Sequence, residues 1–208
     1  MTKSVATNAR RAVLNVGNMR VALFAAALAA GCAPEGKPQF KAVDITGADY
    51  AKDFALPDTE GRMRSIRDFQ GKAVVVFFGY TQCPDVCPTT LTEIAEAKRL
   101  LGADGARVQG ILVTVDPERD KPELLKAYVA NFGPDFIALR GSPEQTAAIA
   151  KDFKVFYRRV EGKVPGSYFM EHTASSYVYD PQGRLRLYAR YGGGAQVLAD
   201  DLKLLLKG

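Results

Sequence analysis

Two apolar runs dominate the hydrophobic pattern of this chain. AVVVFFG at 73–79 is unbroken and RVQGILVTV at 107–115 is nearly so, and both predict strands buried on both faces of a sheet. Two shorter segments, SSYVYD at 175–180 and LRLYARY at 185–191, predict two further strands. The intervening DPQG at 180–183 predicts the turn that joins them.

Four other segments have the apolar spacing of helices, with hydrophobic residues three and four positions apart on one face. The second of these segments has a proline in its first turn, and the third begins at a Ser–Gln capping box, both typical of helix starts. The defining positions are Leu91, Ile94, Ala95 and Leu101; Leu125, Tyr128, Val129 and Phe132; Ser142 and Gln145 through about Phe153; and Leu198, Leu202 and Leu205.

The order of these segments predicts an α/β domain with a central mixed sheet flanked by helices. An N-terminal hairpin over 53–72 comes first, while residues 161–172 are predicted to be irregular. The thioredoxin-like architecture has this order, and it places a cysteine motif directly after a central strand, at the start of a helix. GYTQCPDVCPTT at 79–90 lies at that place.

The N-terminus has the composition of a secretory signal. Four positive charges and no acidic residue precede the apolar run VALFAAALAA at 21–30, which is too short to span a bilayer. The sequence LAAGC, ending at Cys32, resembles a bacterial lipobox and predicts lipid on that cysteine; ordinary cleavage that leaves Cys32 free is the alternative. We therefore expect a signal at 1–31, a membrane tether at 32–49, and a periplasmic or extracytoplasmic domain at 50–208.

Charge gives no support for nucleic-acid binding. The whole chain carries 28 Lys and Arg against 23 Asp and Glu, a net charge of +5. Removal of the predicted signal takes four of the positive charges, so 24 basic residues face 23 acidic ones and the net charge falls to +1. The basic character belongs mostly to the signal, and no nucleic-acid partner is expected.

The predicted domain keeps two cysteines, Cys83 and Cys87, each followed by proline. Proline favours the first helical position, which places Cys87 at the helix cap and Cys83 in the preceding loop. Because the positive end of a helix dipole lowers a thiol pKa, we expect both sulfurs to be nucleophiles, metal ligands or both. In an exported protein the pair can also form a disulfide.

Three familiar roles of paired cysteines fit this motif less well. A structural disulfide would close a very short loop, so its stabilisation lies at the low end of about 0 to 5 kcal/mol. A peroxiredoxin-like nucleophile lacks the proline and the hydroxyl residue that precede the reactive cysteine in that family. A thioredoxin-type reductase has two residues between its cysteines and a proline just before the next strand, whereas this motif has three and the nearest upstream proline is Pro165.

His172, the only histidine of the chain, lies near the place of that missing proline. In a thioredoxin-like fold the loop before this strand packs beside the cysteine motif, so the imidazole can complete a site with the two sulfurs. Soft sulfur favours Cu(I) and nitrogen helps hold Cu(II), so the donor set suits copper. Zinc accepts the same groups with water as a fourth ligand. A surface or structural histidine is the plain alternative.

Three segments carry a closer likeness: GYTQCPDVCPTTL, VTVDPERDKPELLKAYV and EHTASSYVYDPQGRL. They closely resemble the Sco/SenC family of copper proteins, which assemble the dinuclear copper A centre of cytochrome c oxidase. The similarity runs from about residue 51 to the C-terminus. The resemblance implies that Cys83, Cys87 and His172 are copper ligands.

The acidic residues of these segments have two interpretations. The resemblance implies that Asp116 lies near the metal and that Asp120 completes the motif. For Asp85, its position between the cysteines predicts that it orients the loop that carries Cys83 or caps the following helix. Alternatively, Asp116 simply ends a strand and Asp120 caps the following helix. Glu171 departs from the family, in which an aspartate often precedes the histidine.

The resemblance implies a membrane-anchored copper metallochaperone, a carrier rather than an enzyme. Its partners would be cytochrome c oxidase subunit II and a copper-donor protein, and its anchor would be lipid where many family members have a transmembrane helix. The alternative is a thiol–disulfide oxidoreductase that keeps the copper-binding cysteines of the target reduced, since the same thiolates serve both roles. A copper-responsive redox sensor is a third hypothesis, without a separate output domain in the sequence.

Overall fold

A computed structural model describes residues 39–208. The predicted signal at 1–31 and the predicted lipid-bearing Cys32 lie outside the described residues. Within the described part, no helix combines the length and the hydropathy needed to cross a membrane.

The described chain contains ten strands and four helices. Two 3₁₀ turns, Ile66–Phe69 and Gly102–Arg107, accompany them. The strands are β1 (Val43–Asp44), β2 (Leu56–Pro57), β3 (Met63–Arg64), β4 (Ala73–Gly79), β5 (Val108–Thr114), β6 (Ile137–Leu139), β7 (Tyr157–Glu161), β8 (Tyr168–His172), β9 (Ser175–Tyr179) and β10 (Leu185–Arg190). The helices are α1 (Val86–Leu100), α2 (Pro122–Ala130), α3 (Pro143–Asp152) and α4 (Ala195–Leu205).

Six strands form one mixed sheet in the order β1-β10-β9-β4-β5-β6. Strand β4 is parallel to β5 and antiparallel to β9, and β5 is parallel to β6. Every residue of β4 and β5 is buried, as the two apolar runs predict. Helix α1 packs against β4, β5 and α4, and α2 packs against β6. The predicted α/β fold with a central mixed sheet is confirmed.

An aromatic cluster fills the core beside the central strands. Phe153, just after α3, lies 5.1 Å from Phe78 and 5.2 Å from Tyr177 between ring centroids. The hydroxyl of Tyr177 donates to the backbone carbonyl of Phe153, so its one polar group is satisfied inside the core. The helix predicted from its Ser142 capping box is therefore attached to the sheet at its C-terminal end.

The compact domain includes described residues that precede the predicted boundary at residue 50. The backbone N–H groups of Lys41 and Ala42 each donate to the buried carboxylate of Asp201 at 2.8 Å. The next residues form β1, which pairs with β10 at the edge of the sheet. Residues 41–44 of the segment predicted as a tether therefore pack on the domain, because the sheet edge and Asp201 satisfy their backbone groups.

The segment predicted to be irregular at 161–172 contains a strand in the structure. Its second half is β8, which pairs antiparallel with β7 in a separate two-stranded sheet. His172 is the last residue of β8 and lies opposite Tyr157. The histidine is thus held by strand pairing rather than by a loop.

Two tight turns share one sequence pattern, DTEGRMR at 58–64 and DPQGRLR at 180–186. Gly61 and Gly183 have φ angles of 78° and 75°, the left-handed region that glycine adopts at no steric cost. Their N–H groups donate to the carbonyls of Asp58 and Asp180 at 3.0 and 2.8 Å. Each aspartate carboxylate accepts hydrogen bonds from backbone N–H groups and from both following arginines. The carboxylate therefore holds each hairpin together.

The pKa of Asp58 records how strongly this turn holds its carboxylate. Burial by itself would raise that pKa, but hydrogen bonds from Arg64, from the N–H groups of Arg62 and Glu60 and from the Arg62 side chain overcome it. The pKa falls from 3.8 to about 2. The folded-state pKa is below the unfolded one, so the stabilisation is present above about pH 4 and is lost as the pH falls through about 2.

We expect Asp58→Asn to lower the free energy of unfolding by about 2 kcal/mol at pH 7, since one pKa unit corresponds to about 1.4 kcal/mol. Urea unfolding at pH 7 and near pH 2.5 measures the difference, which should shrink at the lower pH. Asp104→Asn is the matched control, because Asp104 forms an exposed pair with Arg107 and should cost less than about 0.5 kcal/mol. Equal losses in the two variants would contradict the assignment.

Candidate metal centre

The thiol loop, residues 80–85, connects the end of β4 to the start of α1. Asp85 occupies the N-cap position, and α1 begins at Val86. Cys87 is therefore the second helical residue, one position inside the helix rather than at its cap as predicted. Its side chain is fully buried, while Cys83 remains partly exposed, and both cysteines are free thiols.

Gly79 allows Cys87 to approach the end of β4. A Cβ at this position would lie 2.8 Å from Phe77 Cε1 and 2.9 Å from Cys87 Sγ, closer than side-chain carbons normally come. The backbone of β4 therefore passes directly beneath the sulfur. Only glycine leaves room for that sulfur without a shift.

His172 presents one nitrogen to the sulfurs. Its Nδ1 lies 3.0 Å from the carbonyl oxygen of Thr173, an acceptor that requires the proton on Nδ1. Nε2 then carries a free lone pair and lies 3.4 Å from Cys87 Sγ. Edge contacts with Phe77 and Tyr80, at centroid distances of 5.8 and 5.9 Å, fix the plane of the ring. This tautomer and orientation suit metal binding through Nε2.

The ligand atoms of Cys83, Cys87 and His172 all lie within 4.8 Å of one another. Bonds from metal to sulfur or nitrogen are about 2.0–2.3 Å long, which places ligands of one ion about 3.5–4.5 Å apart. Small side-chain adjustments would enclose one ion. The structure therefore brings together the three residues that the sequence singles out, and no other such group occurs among residues 39–208.

The two thiols have opposite pKa shifts. The pKa of Cys83 falls from 9.0 to about 4, because the Cys87 thiol donates to its sulfur and outweighs the opposing burial, with further help from the N–H groups of Asp85 and Cys87. The Cys87 amide nitrogen lies 3.3 Å from that sulfur. The pKa of Cys87 rises, because its proton is held by Cys83 and because the group is buried. The lowered pKa expected of a thiol at the helix start is therefore found at Cys83 and not at Cys87.

Asp116 and Asp120 are both buried, but their carboxylates bond to different parts of the chain. Asp116 accepts from the Tyr168 hydroxyl at 3.0 Å and from the Arg119 guanidinium. Asp120 accepts from Thr81 Oγ1 and Thr114 Oγ1, both at 2.6 Å, and burial raises its pKa. The N-cap of α2 is Lys121, so the alternative of Asp120 as a helix cap is wrong. Asp120 instead anchors the start of the thiol loop through Thr81.

Asp85 is exposed and makes no side-chain capping bond to α1. Its carboxylate accepts from Thr89 Oγ1 at 3.3 Å, and its backbone N–H is directed at Cys83 Sγ. The thiol loop is thus oriented by the Asp85 backbone. Neither this carboxylate nor that of Asp116 or Asp120 belongs to the described group of possible metal ligands.

Sequence reasoning missed the aromatic and basic residues around the site. Tyr80 packs on His172, and Arg119 bonds to Gln82, the neighbour of Cys83. Tyr128 has a buried hydroxyl without a partner in the described residues, and its pKa is raised by burial and by the nearby thiols. Arg119 and Tyr128 both lie in the VTVDPERDKPELLKAYV segment. Membership of that segment is the one sequence feature that could have pointed to a place near the site.

A family model described as SCO1/SenC matches residues 43–207, most of the chain. The chain belongs to the SCO1/SenC family. Among curated relatives, an SCO2-like protein of Rickettsia felis is 35% identical over 133 residues, which are 64% of this chain and 65% of that protein. The matched segment thus spans less than two thirds of this SCO1/SenC relative.

Solved SCO1/SenC structures share the fold. Bradyrhizobium japonicum ScoI, determined with copper bound, is 38% identical, with a TM-score of 0.66 over 74% of this chain and 97% of that one. Apo Sco1 from Thermus thermophilus is also 38% identical, with a TM-score of 0.71 over 82% and 99% of the two chains. The family predicted from the three sequence segments is confirmed.

We expect Cys83 to be alkylated much faster than Cys87 in the reduced domain. Its sulfur is accessible and its thiolate forms above about pH 4, so its rate should change little between about pH 5 and 8. An ordinary thiol would instead react about tenfold faster per pH unit in that range. Peptide mapping after limited iodoacetamide treatment measures both sites, and in denaturant the two rates should become similar. Faster labelling of Cys87 in the folded domain would contradict the assigned asymmetry.

We also expect Gly79→Ala to weaken metal binding by at least about tenfold, because the new methyl group displaces Cys87 Sγ or Phe77. Gly193→Ala is the matched control, since its Cβ would meet only one backbone oxygen, at 3.5 Å. A competition titration with a chromophoric chelator compares the two variants. Unchanged affinity in Gly79→Ala would mean that the sulfur position is not critical.

Proposed function

We propose that this domain binds one copper ion through Cys83, Cys87 and His172 and delivers it to cytochrome c oxidase. The observation that carries the proposal is the convergence of the ligand atoms of two thiols and one imidazole within 4.8 Å. Two sulfurs suit Cu(I), and the imidazole adds a ligand that Cu(II) accepts. The copper-bound structure of the Bradyrhizobium japonicum relative supports copper over zinc.

Copper loading on this proposal requires reduced cysteines. Both cysteines are free thiols in the structure, and a disulfide between them would remove two of the three ligands. Binding also releases the proton of Cys87, since only a thiolate coordinates the metal. Transfer then proceeds by ligand exchange, in which sulfur or nitrogen donors of the acceptor replace those of the domain one at a time.

The partners on this proposal are a copper-donor protein and subunit II of cytochrome c oxidase, whose copper A centre receives the metal. A lipid on Cys32 would hold the domain beside its membrane target, on the periplasmic or extracytoplasmic side. The support is the lipobox-like LAAGC sequence and the SCO1/SenC membership of the domain.

A second candidate function is thiol–disulfide exchange that keeps the cysteines of the target reduced. The lowered pKa and partial exposure of Cys83 favour it, because an accessible thiolate is the attacking species in exchange. Cys87 lies in position to resolve the mixed disulfide. The same geometry therefore supports both functions, and His172 separates them.

We expect His172→Ala to weaken copper binding by at least about tenfold while changing the rate of exchange with a small disulfide by less than about threefold. Anaerobic copper titration of the reduced domain from Pro38 onward, with thiolate absorption recorded, measures the first effect. Glu171→Gln is the control, since Glu171 is half-exposed and pairs with Arg158. Wild-type affinity no greater than that of His172→Ala, or a stoichiometry far from one copper per chain, would overturn the three-ligand site.

A further inference from the structure

Arg119 joins three separate parts of the chain around the metal centre. Its Nε donates to the carboxylate of Asp116, next to the end of β5. Its Nη1 donates to Gln82 Oε1 at 3.0 Å and to the backbone carbonyl of Tyr168 at 2.8 Å. Gln82 precedes Cys83 in the thiol loop, and Tyr168 begins the strand that ends at His172. One guanidinium thus contacts both segments that supply metal ligands.

Ring contacts extend this arrangement to the histidine itself. The guanidinium carbon of Arg119 lies 3.5 Å from the ring centroid of Tyr168 and 5.7 Å from that of Tyr80. Tyr80 in turn makes the edge contact with His172. The Tyr168 hydroxyl donates to Asp116, so the aromatic ring and the carboxylate hold the guanidinium from two sides.

We propose that Arg119 is a positioning residue that keeps the thiol loop and β8 at a fixed separation in the metal-free protein. Cys83 and His172 then remain within reach of one incoming ion. The proposal rests on the proposed function only in taking copper as that ion. A loose loop would have to be ordered on binding, and that entropy cost would weaken the site.

The contacts of Arg119 are not those of a residue that only stabilises the fold. Gln82 is exposed, so its bond to Arg119 replaces bonds to water and adds little stability. Nη2 is buried and has no partner within the described part of the chain. A buried donor left unpaired is costly, and such exceptions cluster at functional sites.

Lysine cannot reproduce these contacts. The bonded acceptors lie on three segments and are reached through two different nitrogens of one planar group. An ammonium group keeps the charge beside Asp116 but presents a single nitrogen and does not stack on Tyr168 as a plane. Arg119→Lys therefore removes the connection while it preserves the local charge.

The test is a double-mutant cycle of Arg119→Lys and Gln82→Ala, with copper affinity measured anaerobically by chelator competition. We expect each single variant to bind copper about tenfold more weakly, the usual effect of losing an outer contact to a metal site. The double variant should be no weaker than Arg119→Lys, because the glutamine acts only through the arginine. Additive losses would overturn the proposal.

Hydrogen exchange of the metal-free reduced domain provides a readout independent of copper. We expect Arg119→Lys and Gln82→Ala to speed exchange at the Cys83 amide by about tenfold, while amides of β4 and β5 keep their wild-type rates. Unchanged exchange at Cys83 in both variants would overturn the positioning role. Faster exchange in a domain whose wild-type form does not bind copper would retain that role and reject the proposed function.

The turn at 180–186 offers a matched control pair, Arg184 and Gln182. Arg184 donates to Asp180 and to the exposed Gln182 at 2.8 and 3.1 Å, the same local arrangement away from the metal centre. Arg184→Lys and Gln182→Ala should leave copper affinity and Cys83 exchange unchanged. Equal effects from this pair would assign the losses to general destabilisation and would overturn the proposal. If Arg119→Lys fails to fold, Gln82→Ala decides alone, because its side chain lies on the surface.

Discussion

The metal centre depends on one constraint: three chain segments must meet at the same end of the central strands β4, β5 and β9. Parallel pairing of β4 with β5 sets Gly79 beside Thr114, so the thiol loop and the segment holding Asp116 leave the sheet together. Antiparallel pairing of β4 with β9 sets Phe77 opposite Ser176, so β9 begins at the end of the sheet where β4 finishes. His172 lies just before β9 begins. A one-residue slip in either pairing would turn alternate side chains to the opposite face and separate the ligands.

The sequence predicts the elements whose own residues determine their structure. The apolar runs of β4 and β5 form buried strands, and the Ser142 capping box begins a helix where expected. The missed strands depend on partners elsewhere. Strand β7 has the sequence YRRVE, with mostly exposed positions, and becomes a strand because β8 returns beside it. Strand β1 has two exposed residues and exists only through its pairing with β10.

The candidate site also contains residues that the sequence predicts and residues that depend on distant partners. Residue types and spacing identify both cysteines and the histidine, because sulfur and imidazole have few other uses in such a pattern. The buried polar contacts were not predictable from local rules. Asp120 has the sequence position of a helix cap, yet it bonds to Thr81, 39 residues away. Arg119 is predicted by nothing in its neighbours, since its partners Gln82 and Tyr168 are 37 and 49 residues distant.

The unequal environments of the two thiols connect the two proposed functions. Cys83 is accessible and has a lowered pKa, so it is the sulfur that first meets either an ion or a disulfide. Cys87 is buried and retains its proton until a second bond to metal or sulfur displaces it. Metal binding and disulfide exchange therefore share their first step, at Cys83. They differ in whether the His172 imidazole takes part. A dithiol needs no imidazole, whereas the bond from His172 Nδ1 to Thr173 directs Nε2 at the sulfurs. Metal binding requires that orientation and exchange does not, which is why the geometry favours the copper proposal.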